Sequence, residues 1–240
     1  MKQFVVGIGD VYRGLGVLRA HPRLWRWVIA PAAITLVLLA VLIGGVWLTV
    51  DPAISWLGEH APGTLGHVAS RVHARIVLGL STTALFLFLP IAGAIAGPFH
   101  ERLSAHVERA VTGLPPGPEP GFLHGAAISL LHGARRLVAG VFGALAVLLL
   151  GLVPVVGSYA APVLAAWLAA RSAAYDCYDA VLARRALGFR TKLDFLSDHP
   201  RSLGLGATVA ALLLVPGLGL LALGVGAAGA TVVVVSDDRS

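Results

Sequence analysis

Cysteine is almost missing from this sequence: Cys177 is the only one among 240 residues. A single thiol excludes an intramolecular disulfide framework and any CxxC metal site. Charged residues are also few, at 12% of the chain, where soluble globular domains carry roughly 25%. Aromatic residues make up only 7%, and the alternating segments of roughly ten residues that build membrane β-barrels do not occur. These shortages exclude a disulfide-stapled secreted domain and disfavour a soluble one.

Apolar residues take the place of the missing charges. They make up 57% of the chain, and the mean hydropathy is +0.84. Several uncharged runs reach the ~18 residues that mark a membrane-spanning segment, and helices are the open-ended structure that satisfies its own backbone in lipid. We therefore predict an all-α integral membrane protein. The net charge of +6 is better explained by membrane topology than by nucleic acid, so no nucleic-acid partner is expected.

Hydropathy divides a single membrane domain, residues 1–240, into successive segments. Long unbroken apolar runs predict two long transmembrane helices, and two broken runs predict short re-entrant-type helical hairpins. The segments are an interfacial helix with an anion-site candidate (1–27), two spanning helices (28–97) around an external polar loop (51–75), a cytoplasmic amphipathic segment (98–136), a first hairpin (137–170), a cytoplasmic connector (171–202) and a second hairpin (203–235).

An apolar stripe marks the first segment. Ile8, Val11 and Tyr12 share one helical face, whereas Asp10 and Arg13 lie opposite. Such a helix suits the membrane interface. A cytosolic helix packed on its neighbours is the alternative interpretation.

The two broken runs contain similar interruptions, "LVPVVG" at 152–157 and "LVPGLG" at 214–219. Proline removes a backbone donor and glycine permits a positive φ, so Pro154 with Gly157 and Pro216 with Gly217 predict turns. Each arm then has about 15 residues, or roughly 22–24 Å of helix, which is short of the ~30 Å hydrocarbon core. We expect the hairpins to return to the side they left, with their tips packed against the spanning helices.

The distribution of basic residues agrees with that topology. Of the 18 Lys and Arg residues, only two fall in the 51–75 loop. If that loop is external, the other sixteen are cytoplasmic, as the positive-inside rule requires. We therefore expect a multi-pass protein of the cell inner membrane with both termini in the cytoplasm.

The strongest candidate for a binding site is the sequence Pro22-Arg23-Leu24-Trp25-Arg26. A proline at a helix start leaves the following amides unpaired, and helix N-termini attract anions. Guanidinium groups bind tetrahedral oxyanions in a bidentate way, so these residues predict an anion-binding site, with the amides of Leu24 and Trp25 as further donors. The alternative is that Arg23 and Arg26 only anchor phospholipid headgroups.

Enzyme chemistry finds little support. His100 and His106 are six residues apart, which does not fit the HExxH zinc spacing, and salt bridges on an amphipathic helix explain their acidic neighbours better. Neither a GxxxxGK[ST] nucleotide loop nor a GxSxG elbow occurs. We predict no enzyme activity, no cofactor and no metal.

Four landmarks show that the chain resembles the CysZ sulfate-transporter family, which shares its domain with the eukaryotic etoposide-induced membrane proteins. "HPRLWRWVIAP" is similar to a Pro-Gly-Leu-Arg-Arg-aromatic-x-x-x-Pro pattern, in which this chain keeps Arg26 and has Arg23 at the glycine. "GPFHERLSAHVE" and "YDCYDAVLARRALGF" resemble two further signatures, and the last apolar run resembles the family's ending. The signature positions are Pro98, Phe99, His100 (an Asn in the family), Glu101, Glu108, Tyr178 and Asp179.

The resemblance implies two spanning helices, two half-depth hairpins and assembly into homo-oligomers. It also implies entry of sulfate into the cytoplasm for cysteine biosynthesis. The leading hypothesis is thus a permease for sulfate or a similar oxyanion, channel-like or ion-coupled and without ATP. The alternative is a non-transporting membrane scaffold that interacts with lipid or a partner protein.

Overall fold

A computed structural model of the chain describes residues 2–60, 64–115, 122–185, 187–215 and 218–238. These residues form eight α-helices and one 3-10 turn. In chain order they are α1 (Lys2–Ala20), the 3-10 turn (Pro22–Leu24), α2 (Trp25–His60), α3 (Thr64–Thr112), α4 (Phe122–Gly151), α5 (Val156–Arg184), α6 (Phe189–Asp198), α7 (Pro200–Leu213) and α8 (Gly219–Asp237).

Helices α2 and α3 pack against each other and are longer than the apolar runs that predicted them. They have 36 and 49 residues, or about 54 and 73 Å at 1.5 Å per residue. The polar stretch at 51–75 ends the apolar run but does not end the helix, because α2 continues through Pro52 to His60. Much of the segment expected to be an external loop is therefore helical.

Helices α4 and α5 form the first hairpin. They run antiparallel, since Gly143 lies beside Leu168 and Gly151 lies beside Ala161. The turn is at Pro154, where the interruption predicted it, and the amide of Val156 donates to the carbonyl of Pro154.

The tip of this hairpin contains a strained residue. Val155 has φ 63° and ψ −59°, which is the rare γ-turn conformation and is costly for a β-branched side chain. Leu152 is 71% exposed and Val155 is 76% exposed. The expectation that the tips pack against the spanning helices is wrong here, because the tip presents apolar side chains outward.

Helices α7 and α8 form the second hairpin, whose arms are buried rather than exposed. Gly226 lies beside Val209 and Gly229 beside Leu205, and α8 is buried along most of its length among α1, α3 and α5. The helix breaks between Leu213 and Gly219, but the predicted turn residues Pro216 and Gly217 lie outside the described residues. The tip is exposed here too, since Leu214 is 84% accessible.

Helix α1 packs through its small residues and one edge of its apolar stripe, where Val11 and Leu18 are buried. Gly7, Asp10 and Gly14 are buried, whereas Tyr12 is 69% exposed. The expectation that Asp10 lies on the outer face is wrong. Only the glycine face lets the backbone of α1 approach α7 and α8, and the Tyr12 face remains outward.

Ion pairs connect the helices at the end of the molecule opposite the hairpin tips, and this end is called the polar end. Asp10 of α1 binds Arg201 of α7 (Nε–Oδ2 2.5 Å), and Arg184 of α5 binds Glu108 of α3 (2.7 Å). Arg136 of α4 binds Asp176 of α5, and Arg185 of α5 binds Asp238 just beyond α8. Both hairpins therefore start and finish at the same end of the molecule.

Away from this polar end, apolar side chains cover the outside of the helices. Among the described residues, two helical stretches are long and apolar enough to cross a membrane, Pro22–Thr49 and Gly133–Gly151. Only 11% of the first stretch and 0% of the second are buried inside the protein. The first agrees with the predicted span at 28–50, and the second is the outgoing arm of the predicted first hairpin. Exposed apolar helices of this length are typical of a protein in contact with lipid.

Candidate anion site

The 3-10 turn at Pro22 sets the direction of the side chains at the start of α2. His21 has a non-helical backbone, and Pro22 takes the first position of the turn. Leu24 and Val28, four residues apart, point into the core at 7% and 1% exposure. Arg23 and Arg26, three residues apart on another face, are both exposed.

The backbone amides of this turn are already used. Leu24 donates to the carbonyl of His21 at 2.9 Å, and Trp25 donates to the carbonyl of Pro22. These are the two amides that the sequence suggested as anion ligands. The guanidinium groups of Arg23 and Arg26 remain as donors at this position.

Among the described residues, the two arginines have no acidic partner. Neither Arg23 nor Arg26 forms an ion pair within the part of the chain that the structure describes, whereas Arg136, Arg184 and Arg201 are each bound to a carboxylate. Two adjacent cations without counter-ions create a positive surface. An anion with several acceptor oxygens is the chemical complement of that surface.

Helix α3 brings a second set of side chains to this position. Phe99, Arg102 and His106 are spaced by three and four residues and therefore lie on one helix face. The Trp27 ring lies 6.1 Å from Phe99 and 5.5 Å from His106. The Arg26 and Arg102 guanidinium carbons are 5.1 and 5.5 Å from the centre of the same indole. Trp27 and Arg102 were not predicted as site residues from the sequence, although the helical spacing of Phe99, Arg102 and His106 was visible there.

Comparison with known proteins identifies the family of this chain. The profile of the family described as "Sulfate transporter CysZ/Etoposide-induced protein 2.4" matches residues 10–223. The chain belongs to this family.

Two curated relatives extend the comparison. The sulfate transporter CysZ of Pectobacterium atrosepticum is 28% identical over 216 residues, which are 88% of this chain and 78% of that protein. The sulfate transporter CysZ of Pseudomonas paraeruginosa is 29% identical over 238 residues, or 96% of this chain and 95% of that protein.

The family-signature residues of α3 divide between two surroundings. Pro98 and Glu101 are buried, and Phe99 contacts Trp27, so this part of the signature adjoins the anion-site residues. Glu108 lies two turns further on and binds Arg184. Arg184 also donates to Ser104 at 3.1 Å.

The signature residues of α5 belong to a separate polar cluster. Asp179 accepts a hydrogen bond from Lys192 of α6 at 2.6 Å, although Lys192 is only 1% exposed. Tyr178 is buried against Phe195, with ring centres 6.0 Å apart. The structure therefore does not bring Tyr178 and Asp179 to Arg26.

Electrostatics within this second cluster fix its charges. Burial lowers the pKa of His100, and the carboxylates of Asp176 and Asp179 oppose that shift without cancelling it. Burial raises the pKa of the Cys177 thiol. At neutral pH this region thus contains a neutral imidazole and an unreactive thiol, and the guanidinium of Arg136 is bound to Asp176.

Proposed function

We propose that this chain is an inner-membrane permease for sulfate or a similar tetrahedral oxyanion, in which Arg23 and Arg26 capture the anion. The curated relatives are named as sulfate transporters and align with most or nearly all of this chain. The observation that carries the site is the pair of exposed arginines at the start of α2, for which the described part of the chain provides no carboxylate partner. Transport is channel-like or ion-coupled and supplies sulfur for assimilation in the cytoplasm.

The apolar exterior supports the membrane part of the proposal. The α2 and α4 stretches expose Leu, Val and Ile side chains, and the polar end carries the ion pairs. We propose that the polar end, with both termini, faces the cytoplasm, because it holds most of the basic residues. The chain works as a homo-oligomer surrounded by lipid.

Uptake of radiolabelled sulfate into proteoliposomes tests the proposal, with selenate and phosphate as competitors. Arg26→Ala removes a charged donor, so we expect half-saturation to need roughly tenfold more sulfate. Arg23→Ala should act in the same direction. Arg109→Ala is the matched control, since Arg109 is exposed near the end of α3 and no ion pair involves it among the described residues.

Three outcomes separate the alternatives. Unchanged uptake by Arg26→Ala would contradict the site assignment. A wild-type protein that moves no more sulfate than empty liposomes would contradict the permease itself. That second result would favour the membrane scaffold.

A further inference from the structure

Helix α5 carries an exposed apolar stripe that leads to an arginine. Tyr159, Val163 and Trp167 are 77%, 70% and 46% exposed, and Arg171 follows at the same interval of four residues. That interval places each side chain beside the next along the helix surface. The stripe begins near the tip of the first hairpin and runs towards the polar end.

The length of the stripe matches one leaflet of a membrane. From Tyr159 to Arg171 the helix rises about 18 Å, which is close to half of the ~30 Å hydrocarbon core. Arg171 lies where the polar end begins, because the adjacent Ser172 accepts a hydrogen bond from Arg136 at 2.9 Å. The stripe therefore extends from the membrane interior to its edge, as the acyl chain and headgroup of one phospholipid do.

A cavity adjoins the arginine at the end of the stripe. It has a volume of about 170 Å³, and its lining includes Trp167 and Arg171 of α5, Ser197 of α6 and Ser202 of α7. That volume has room for several groups of the size of water, but it is below the roughly 300–1,000 Å³ of sites that enclose a whole small molecule. The cavity therefore suits one end of a ligand whose remainder lies outside it.

The guanidinium of Arg171 is held in place at this cavity. Its Nη2 donates to the hydroxyl of Ser197 at 2.9 Å, and its Cζ lies 5.6 Å from the centre of the Trp167 ring. A guanidinium has five N–H donors, and no carboxylate of the described residues binds this one. Most of its donors are thus available and already oriented for acceptor oxygens.

The remaining polar groups of the lining make the site suitable for a single negative charge. The hydroxyl of Ser197 donates to the carbonyl of Leu193 at 2.9 Å, and that of Ser202 donates to the carbonyl of Leu196 at 3.0 Å. Among the described residues that line the cavity, Arg171 alone is charged. One guanidinium balances the single charge of a phosphodiester but not the two charges of sulfate.

We propose that Arg171 and Trp167 form a binding site for an anionic phospholipid. Its phosphate occupies the cavity and accepts from Arg171, and one acyl chain follows Trp167, Val163 and Tyr159 towards the hairpin tip. The charge of the cavity and the apolar stripe that continues from it together select this ligand. The site requires only that the protein lies in a membrane, and it does not depend on the transport of sulfate.

Native mass spectrometry of the full-length protein in detergent measures the affinity for the first bound lipid. Phosphatidylglycerol, phosphatidylcholine and inorganic phosphate are added in separate arms. We expect phosphatidylglycerol to bind more tightly than phosphatidylcholine, whose choline cation Arg171 repels. Arg171→Gln should bind phosphatidylglycerol roughly tenfold more weakly. Arg135→Gln is the matched control, because Arg135 is an exposed arginine of α4 that does not line the cavity, and it should bind as the wild type does.

Three results would overturn the proposal. The first is equal binding of phosphatidylglycerol by the wild type and Arg171→Gln. The second is an equal loss in Arg135→Gln, which would mean that surface charge alone attracts the lipid. The third is displacement of phosphatidylglycerol by inorganic phosphate, which would make the ligand a free ion.

A second measurement uses the folded wild-type protein and follows the acyl chain. Brominated acyl chains quench the fluorescence of a tryptophan that they contact, and Trp167→Phe identifies the share of Trp167 among the five tryptophans. In vesicles of equal bromine content, brominated phosphatidylglycerol should quench Trp167 more than brominated phosphatidylcholine does. Equal quenching by the two lipids would contradict the site. Uptake of sulfate is a separate measurement, so a failed lipid site leaves the proposed permease standing.

Discussion

Burial decides what each charged side chain does in this protein. Asp10 is fully buried, and both of its carboxylate oxygens are bound by Arg201, at 2.5 and 2.7 Å. Removing one member of such a pair leaves the other as an uncompensated charge in a low-dielectric interior. Arg23 and Arg26 have the opposite arrangement, because both are exposed and neither is bound to a carboxylate of the residues that the structure describes. That arrangement leaves cations available for a ligand.

Asp10→Ala should lower the free energy of unfolding by about 3 kcal/mol, because Arg201 loses its closest carboxylate and keeps only Asp237, at 3.8 Å. Thermal unfolding in detergent, followed by helical circular dichroism, measures the change. The control is Asp238→Ala, which breaks the exposed pair with Arg185 and should cost less than about 1 kcal/mol. Equal losses of unfolding free energy for the two variants would contradict the larger contribution of the buried pair.

The sequence could not have predicted the Asp10 pair. Its partner is 191 residues away, and an isolated acidic residue in an amphipathic helix is ordinarily placed on the polar face. By contrast, Pro154 predicted its turn correctly, because the loss of a backbone donor is a local effect. Predictions that depended on one residue succeeded here, whereas those that needed a distant contact failed.

Among the helices, glycine determines which faces meet. A methyl group at Gly14 would lie 2.6 Å from the carbonyl oxygen of Val225 and would also meet the backbone of Gly229. Close backbone approach of this kind is how small residues join helices in membrane proteins. It explains why α1 turns its glycine face inward, together with Val11 and Leu18, and leaves Tyr12 outward.

Gly14→Ala should therefore destabilise the protein by about 1–3 kcal/mol, since α1 must move away from α8 to make room. Gly9→Ala is the control on the same helix, where an added methyl meets nothing within 4 Å. That control should be neutral or stabilising by about 0.5–1 kcal/mol through helix propensity. Thermal unfolding of both variants compares them, and a destabilised Gly9→Ala would contradict the packing argument.

The two hairpins look alike in sequence but serve different roles as elements. Both contain a Leu-Val-Pro interruption, and both runs break there. Yet the α4 stretch Gly133–Gly151 is 0% buried, whereas α8 is enclosed by other helices. Apolar composition predicts that a helix avoids water, and only tertiary structure decides whether lipid or protein surrounds it.

At the scale of the whole molecule, the structure has a polar end and an apolar end. The ion pairs of α1, α3, α4, α5, α7 and α8 gather at the first, and the exposed hairpin tips lie away from it. The apolar stretch Gly133–Gly151 has 19 residues and could cross a membrane by length alone, but Arg136 within it is bound to Asp176 at the polar end. From Arg136 to Gly151 the chain rises only about 22 Å, which is less than the ~30 Å hydrocarbon core. We therefore propose that the first hairpin enters the membrane and returns without crossing it.

Cysteine labelling tests this arrangement. The native Cys177 should react little with the label, because it is fully buried and burial raises the pKa of its thiol. Single variants Leu152→Cys, Glu59→Cys and Asp238→Cys are exposed to a membrane-impermeant maleimide in intact cells and in inverted vesicles. Asp238→Cys should react only in inverted vesicles, and Glu59→Cys only in intact cells. Leu152→Cys at the hairpin tip should react in neither, since the tip ends within lipid. Reaction of Leu152→Cys in intact cells would mean that the hairpin crosses, and reaction of Asp238→Cys in both preparations would mean that the protein inserts in two orientations.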